Sequence, residues 1–520
     1  MNDLDTIALS PDSDTQLRLI PEQALARTSG APLIEGNAVR ILKDSTENYP
    51  AWMDAIERAR RFILFENYII ANDEIGRQFV AILTDKAKQG IRVRVIYDFG
   101  GSLVSSRLFA ALVAAGGEVR CFNPPRFDSP LGWLMRDHRK MVAVDGEVAF
   151  ITGLCVARRW MGNAARGIAP WRDTGVEVRG PAVADIERAF AQVWKAAGTP
   201  IPEEELTPRD TIAIAGEVTV MVIATEPTSA GLYRLDQFIA TVARQTLWLT
   251  DAYYVGTPAY AEALRAAARD GVDVRLLVPG SSDLPITQAI SRAGYRPLIE
   301  GGIRVFEWNG SMLHAKTAVA DGRWSRVGSS NLNLSSWLAN YELDLAVYDE
   351  AFGRRMDEMY LADLKQATEI VLNQRNRVRP VGGGRAPQLN PVRGSASRAA
   401  AGALRIRNTV SAALSNRRIL GPSEAGLMRN VGLILLVLAL LGMAWPWAIA
   451  VPVGLFAGWI GVALLLKAWN LRRRRAAVGG RKTYWRGEAA VDFSSPFRPS
   501  APTPACVLAG ALQKNSGKTL

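Results

Sequence analysis

Short apolar runs and amphipathic stretches alternate from about Leu33 to Asn373, with polar breaks between them. RFILFENYII (61–70) is apolar on successive positions and predicts a buried strand. IGRQFVAILTDKAKQG (75–90) carries its apolar residues at helical spacing and closes on Gly90, which predicts a helix with a glycine stop. IRVRVIYDF (91–99) predicts a strand again. Strand, helix and strand in that order predict parallel pairing through a crossover helix, and so an α/β fold.

The same order returns later in the chain. QTLWLTDAYYV (245–255) predicts a strand, AYAEALRAAARDG (259–271) a helix closed by Gly271, and VDVRLLVPGSS (272–282) a strand running into a turn. Gly90 and Gly271 lie 181 positions apart, and GGEVRCFNP (116–124) is echoed by GGIRVFEWN (301–309). A duplicated unit of roughly 170 residues is a normal domain size. The expected architecture is two such lobes, 36–200 and 201–374, related by a pseudo-two-fold axis with one site shared between them. Residues 1–32 are polar, with SPDSDTQ where a secretory signal has its basic and apolar regions, and a disordered segment is expected over 1–35.

Beyond the second lobe the pattern changes. Residues 375–429 are rich in Gly, Pro, Ser and Arg and predict a basic flexible linker. Within it, ALRIRNTVSAALSNRRIL (403–420) fits either a basic amphipathic helix on a membrane surface or a solvated linker helix. Residues 431–466 then carry no charge. As one helix they would extend about 54 Å, against a hydrocarbon core of about 30 Å. With Pro446 and Pro452 near the middle, they predict a transmembrane hairpin over 430–467 that turns near Trp445 and Trp447. Arg417, Arg418 and Arg429 precede it, and Lys467 and Arg472 to Arg475 follow it, which predicts both ends in the cytoplasm. A basic tail, 468–520, completes the chain.

Charge sharpens this division. The net charge is +12, yet 22 of the 62 Lys and Arg and only three of the 50 Asp and Glu fall from Leu372 onward. The two lobes are therefore mildly acidic, which argues against nucleic acid as their partner. Three scattered cysteines (Cys121, Cys155, Cys506) give no disulfide framework and no metal knuckle, and there is no HExxH. These counts argue against a zinc site, and no cofactor is expected.

The candidate chemistry rests on a scarcity. The chain has two histidines, His138 and His314, and each is followed two places on by lysine (Lys140, Lys316) and seven on by aspartate (Asp145, Asp321). Imidazole is a nucleophile whose pKa lies near working pH. A lysine two residues along a strand points to the same face and supplies a fixed cation. Two such units facing each other suit in-line displacement at a phosphodiester, with one histidine attacking phosphorus and the other protonating the leaving alkoxide. Ser329 and Asn331, in GSSN after the second unit, are candidate contacts for phosphoryl oxygens. Asp173 and Glu342 fall 35 and 28 residues after the histidines, each at the start of an apolar run, and are candidates for orienting the imidazoles.

His314, Lys316, Asp321, Gly328, Ser329 and Asn331 together resemble the H-x-K-x4-D-x6-G-S-x-N signature of the phospholipase D superfamily, and His138, Lys140 and Asp145 resemble its first part. Over roughly residues 36–373 the chain is most similar to bacterial cardiolipin synthases of the phospholipase D type. That resemblance implies two α/β lobes, a phosphohistidine intermediate, no metal, His138 as nucleophile, and His314 as general acid and then base. It also implies a mainly structural role for Asp145 and Asp321. The first unit departs from the pattern: Thr152-Gly153-Leu154-Cys155 stands where the amide-bearing segment belongs, so a thiol replaces an amide. The expected activity is phosphatidyl transfer to phosphatidylglycerol or glycerol at the bacterial cytoplasmic membrane, with the lobes on the cytoplasmic side. Hydrolysis to phosphatidic acid is the alternative; a nuclease or a non-catalytic lipid-binding protein follows.

Overall fold

The computed structural model describes residues 23–104, 106–125, 134–372, 378–380, 433, 436, 437, 440 and 446–479. The expected linker, most of the first arm of the hairpin, and the tail beyond residue 479 with Cys506 lie outside the described residues.

Each apolar run predicted as a strand forms one. RFILFENYII supplies β2 (Phe62–Asn67) and IRVRVIYDF supplies β3 (Arg92–Asp98), paired in parallel across the helix Glu74–Lys88. That helix begins where the Asp73 carboxylate accepts from the Ile75 and Gly76 amides. The chain leaves it through Gly90 at φ 84°, and leaves the equivalent helix Pro258–Arg269 through Gly271 at φ 93°. Both are left-handed positions that glycine adopts without a Cβ clash.

The first lobe contains β1 (Ile34–Lys43), β2, β3, β4 (Glu118–Phe122), β5 (Lys140–Val144), β6 (Val148–Thr152) and β7 (Thr174–Arg179). The second repeats them as β8 (Val218–Thr225), β9 (Thr246–Thr250), β10 (Asp273–Pro279), β11 (Arg304–Trp308), β12 (Thr317–Ala320), β13 (Trp324–Gly328) and β14 (Glu342–Tyr348), then adds β15 (Ala367–Leu372) and β16 (Val378–Pro380). In each lobe three parallel strands are followed by three antiparallel ones, in matching order outward from the centre. β1 pairs with β8, so the two lobes form one 16-stranded sheet.

One apolar cluster is common to both lobes. Val176, Val178, Phe190 and Trp194 of the first pack with Leu343, Leu345, Phe352 and Met356 of the second. Separate clusters fill the other face of each lobe, one around Trp52, Phe65 and Phe79, the other around Leu249, Leu276 and Trp337.

One expectation needs correction. Residues 23–29, expected within a disordered lead-in, form a helix. Leu25 is buried in the second lobe's cluster with Met221 and Leu232, so burial of its side chain holds the segment. At the other end, a single helix, Pro446–Gly479, covers the second arm of the expected hairpin and continues through Lys467 and the four arginines. Proline at its first position costs no hydrogen bond, and Pro452 does not end it. Among the described residues, no helix is long and apolar enough to cross a membrane.

Candidate active site

Each histidine sits just ahead of an inner strand, His138 two residues before β5 begins and His314 three before β12. The backbone there is tied to the opposite lobe. His138 N donates to Tyr341 O at 2.9 Å, and Tyr341 N donates to Arg136 O at 2.9 Å. The second lobe mirrors this: His314 N donates to Arg172 O at 2.7 Å, and Arg172 N donates to Met312 O at 2.9 Å. Both imidazoles line one cleft, together with Tyr68, Cys155, Tyr253 and Asn331.

The orienting carboxylates are crossed. His138 Nδ1 lies 2.8 Å from Glu342 of the second lobe, and His314 Nδ1 lies 2.8 Å from Asp173 of the first. Each acid follows one histidine in sequence and holds the other in space. Both acids are fully buried, which pushes their carboxyls up, but the facing histidine and lysine outweigh burial and the net shift is downward. They are therefore carboxylates at neutral pH, able only to accept, so each imidazole donates from Nδ1 and keeps its Nε2 lone pair. Burial is the largest influence on the imidazoles and holds both neutral: His138 drops to about 4 and His314 to about 3, against the pull of their carboxylates.

Ser329 is not among the residues that line the cleft. Its hydroxyl donates to Glu342 at 2.6 Å and accepts the Leu343 amide at 2.9 Å, so it fixes the acid that fixes His138. In the other half, Gly153 occupies the matching position, and the Trp160 indole takes over by donating to Asp173 at 3.2 Å. A Cβ on Gly153 would lie 2.2 Å from an Asp173 oxygen, so this position accommodates no side chain while Asp173 stands where it does. Asn331 lines the cleft, and its buried carboxamide oxygen has no hydrogen-bond partner among the described residues. Cys155 lines the cleft at the counterpart position, with burial pushing its thiol up and away from thiolate.

The lysines lie behind the histidines rather than in the cleft lining. Each Nζ donates to the carbonyl of its own histidine, and each lies over a tyrosine ring, Lys140 5.1 Å from the Tyr68 centroid and Lys316 5.7 Å from that of Tyr253. The same tyrosines meet the histidines edge-on, at 4.8 Å for Tyr68 with His138 and 5.8 Å for Tyr253 with His314. Burial lowers Lys316 to about 8, with Lys140 adding to the shift. Among the described residues, no group of His, Cys, Asp and Glu could hold a metal ion.

Asp145 and Asp321 lie at the far ends of the strands. Each occupies a left-handed turn position (φ 58° and 53°) ahead of a glycine. The Asp145 carboxylate accepts from the amides of Arg60, Arg61 and Phe62; that of Asp321 accepts from Arg244, Gln245 and Thr246. Both therefore anchor the start of a neighbouring strand and touch neither imidazole.

Tyr68, Tyr253, Trp160, Trp171 and Arg159 shape the cleft and were not singled out from the sequence. The echo between ENYII and DAYYV, both at the ends of predicted strands, was the available signal for the tyrosines.

Comparison with known proteins agrees with this geometry. A family model described as cardiolipin synthase, PLD-like domain, matches residues 239–364. The chain is similar to cardiolipin synthase A of Pseudomonas fluorescens, 33% identical over 362 residues, covering 67% of this chain and 73% of that protein. It is 30% identical over 345 residues to a cardiolipin synthase of Clostridium perfringens, covering 65% and 72%. Among solved structures, the phosphatidylserine synthase of Haemophilus influenzae superposes with a TM-score of 0.55 at 13% identity, over 67% of this chain and 91% of that one, a likeness of fold.

Proposed function

The chain belongs to the phospholipase D-type cardiolipin synthase family, and from that premise we propose that it transfers a phosphatidyl group through a covalent histidine to a glycerol-bearing acceptor, chiefly phosphatidylglycerol. The observation that carries this reading is the crossed pair of imidazoles, each held by the other lobe's carboxylate and both facing one cleft.

The chemistry follows from the protonation state. His138 donates from Nδ1 to Glu342, so its Nε2 lone pair is free to attack phosphorus. The new P–N bond forms as the P–O bond to the donor's glycerol breaks, and the departing alkoxide takes a proton from His314. That histidine is neutral in the free protein. Burial, then the charges of Lys316 and Lys140, depress it; the arriving phosphodiester anion offsets the lysine charges, and Asp173 supports the imidazolium that forms by proton uptake from solvent. In the second half the acceptor hydroxyl gives its proton to His314 and its oxygen attacks phosphorus. The P–N bond breaks and His138 is regenerated. The lysine charges, buried beneath the imidazoles, favour the phosphoryl oxygens throughout.

Attachment to the bacterial cytoplasmic membrane, with the lobes on the cytoplasmic side, belongs to the same proposal. It is supported by the charge-free run 431–466, by exposed Trp447, Leu455, Phe456, Leu465 and Trp469 on the helix Pro446–Gly479, and by the arginines that follow. The hairpin form of the anchor rests on the length of that run alone.

Purified chain incubated with labelled phosphatidylglycerol in vesicles is expected to yield cardiolipin and free glycerol, and a His138→Ala chain neither. Equal product from both chains, or phosphatidic acid as the sole product of the wild type, would overturn the proposal.

A further inference from the structure

Cardiolipin carries two phosphates, and the paired histidines account for one. The acceptor phosphatidylglycerol brings the other, fixed a glycerol's length from the hydroxyl that reacts, whereas glycerol and water bring none. If the acceptor lipid is read as such, a cation outside the histidine pair should line the cleft on the side where the acceptor's hydroxyl is deprotonated.

Arg159 meets that description. It lines the same cleft as His138 and His314. Other arginines nearby are committed: Arg158 to Glu74, Arg136 to Asp98, Arg172 to Asp363 and Asp44. Arg159 makes no ion pair among the described residues. Its guanidinium instead lies over two indoles, 4.9 Å from the Trp160 ring and 5.7 Å from the Trp171 ring. Those indoles also flank the general base, Trp160 meeting His314 edge-on at 5.2 Å and Trp171 lying 5.9 Å from it. Trp160 further donates to Asp173, which holds His314. The cation is thus fixed by a rigid platform to the histidine that activates the acceptor, and not to the nucleophile.

Charge balance points the same way. Lys140 and Lys316, with Glu342 and Asp173 beside them, serve the reacting phosphate at the histidines, and Arg159 has no carboxylate partner among the described residues. Asp283, the carboxylate among the residues that line the cleft, belongs to the second lobe and accepts the Tyr253 hydroxyl at 2.8 Å. It would repel a phosphate, which leaves the Arg159 end as the place for one. A guanidinium presents a planar fork of donors suited to phosphate oxygens.

We propose that Arg159, stacked on Trp160 and Trp171, binds the phosphodiester of the acceptor lipid and thereby selects phosphatidylglycerol over glycerol and water as acceptor. The inference rests on the transferase reading. In the step it governs, the acceptor's primary hydroxyl oxygen bonds to phosphorus, the P–N bond to His138 breaks, and the hydroxyl proton passes to His314. Arg159 contributes no proton.

The test compares wild type, Arg159→Gln and Arg159→Lys of the full chain, with labelled phosphatidylglycerol as donor and three acceptors: phosphatidylglycerol, glycerophosphate and glycerol. Loss of one charge-assisted phosphate contact should raise the ratio of glycerol transfer to cardiolipin formation about tenfold in Arg159→Gln, chiefly through acceptor KM, with Arg159→Lys intermediate. Glycerophosphate should lose in step with phosphatidylglycerol, since it carries the phosphate without the chains. Transfer to glycerol reports that the variants are folded. An unchanged ratio overturns the inference while leaving the transferase intact. A loss confined to phosphatidylglycerol, with glycerophosphate unaffected, overturns it by assigning Arg159 to the acyl chains. Wild type that makes no cardiolipin at all sinks the transferase reading and the inference with it.

Discussion

At the scale of the residue, the site depends on which protons are present. His138 attacks only as neutral imidazole, and burial keeps it neutral down to about 4. Lys316 assists only as a cation, and burial brings its loss of charge down to about 8. The signs are opposite: activity falls below the first value because the nucleophile gains a proton, and above the second because the lysine loses one. Because His314 must also take up a proton to act as acid, and in the free protein holds one only near 3, kcat/KM should decline with rising pH across the neutral range and break further near 8, where Lys316 loses its charge. In a Lys316→Arg chain that retains measurable turnover, the break near 8 should move beyond the accessible range, because guanidinium stays charged. A break left near 8 in that variant would assign it to another group.

The same scale shows what the sequence could carry. His138, Lys140, His314 and Lys316 were legible because spacing repeats exposed them against a background almost free of histidine. Asp173 and Glu342 were legible as acids at matched positions, but their crossing was not, since it depends on how the two lobes pair. Ser329 shows a different limit. A hydroxyl in a phosphate-binding signature suggested a substrate contact, and only the position of Glu342 shows that its proton is already committed. Trp160 does for Asp173 what Ser329 does for Glu342 from a segment with no shared spacing, so no alignment of the two halves would have paired them.

At the scale of the element, the βαβ order was readable because apolar runs and glycine stops recur in both halves. Asp145 and Asp321 show how a motif residue can serve the element instead of the chemistry. Each carboxylate gathers three backbone amides at the start of a strand, from a left-handed position that disfavours most side chains. The two are not equal. Asp145 reaches a buried amide, that of Phe62, and two partly buried ones; two of the three amides held by Asp321 are exposed, where water can replace it. Asp145→Ala should therefore destabilise by about 3 kcal/mol and Asp321→Ala by about 1 kcal/mol, combining lost charged hydrogen bonds with the left-handed penalty. Urea unfolding measures both. Equal losses would mean that the amides in the second lobe are as dry as those in the first.

At the scale of the molecule, the lobes are tied at every level. β1 pairs with β8, an apolar cluster is shared, and each histidine is held by backbone and carboxylate from the other side. Arg172 draws these ties together. It is buried between the lobes and grips Asp363 with two nitrogens, at 2.9 and 2.8 Å, while its own backbone accepts from His314 and donates to Met312. It also precedes Asp173, the acid that orients His314. Arg172→Met would leave Asp363 buried without its partner, a loss of about 3–5 kcal/mol. Because the lobes share one sheet and one cluster, that loss should lower a single calorimetric transition for the folded region as a whole, and turnover should fall as His314 loses its alignment. Two separate transitions in the wild type, or a variant in which only one lobe's transition moves, would show that the halves are independent domains in contact. The crossed carboxylates would then be a product of docking and not of one cooperative fold.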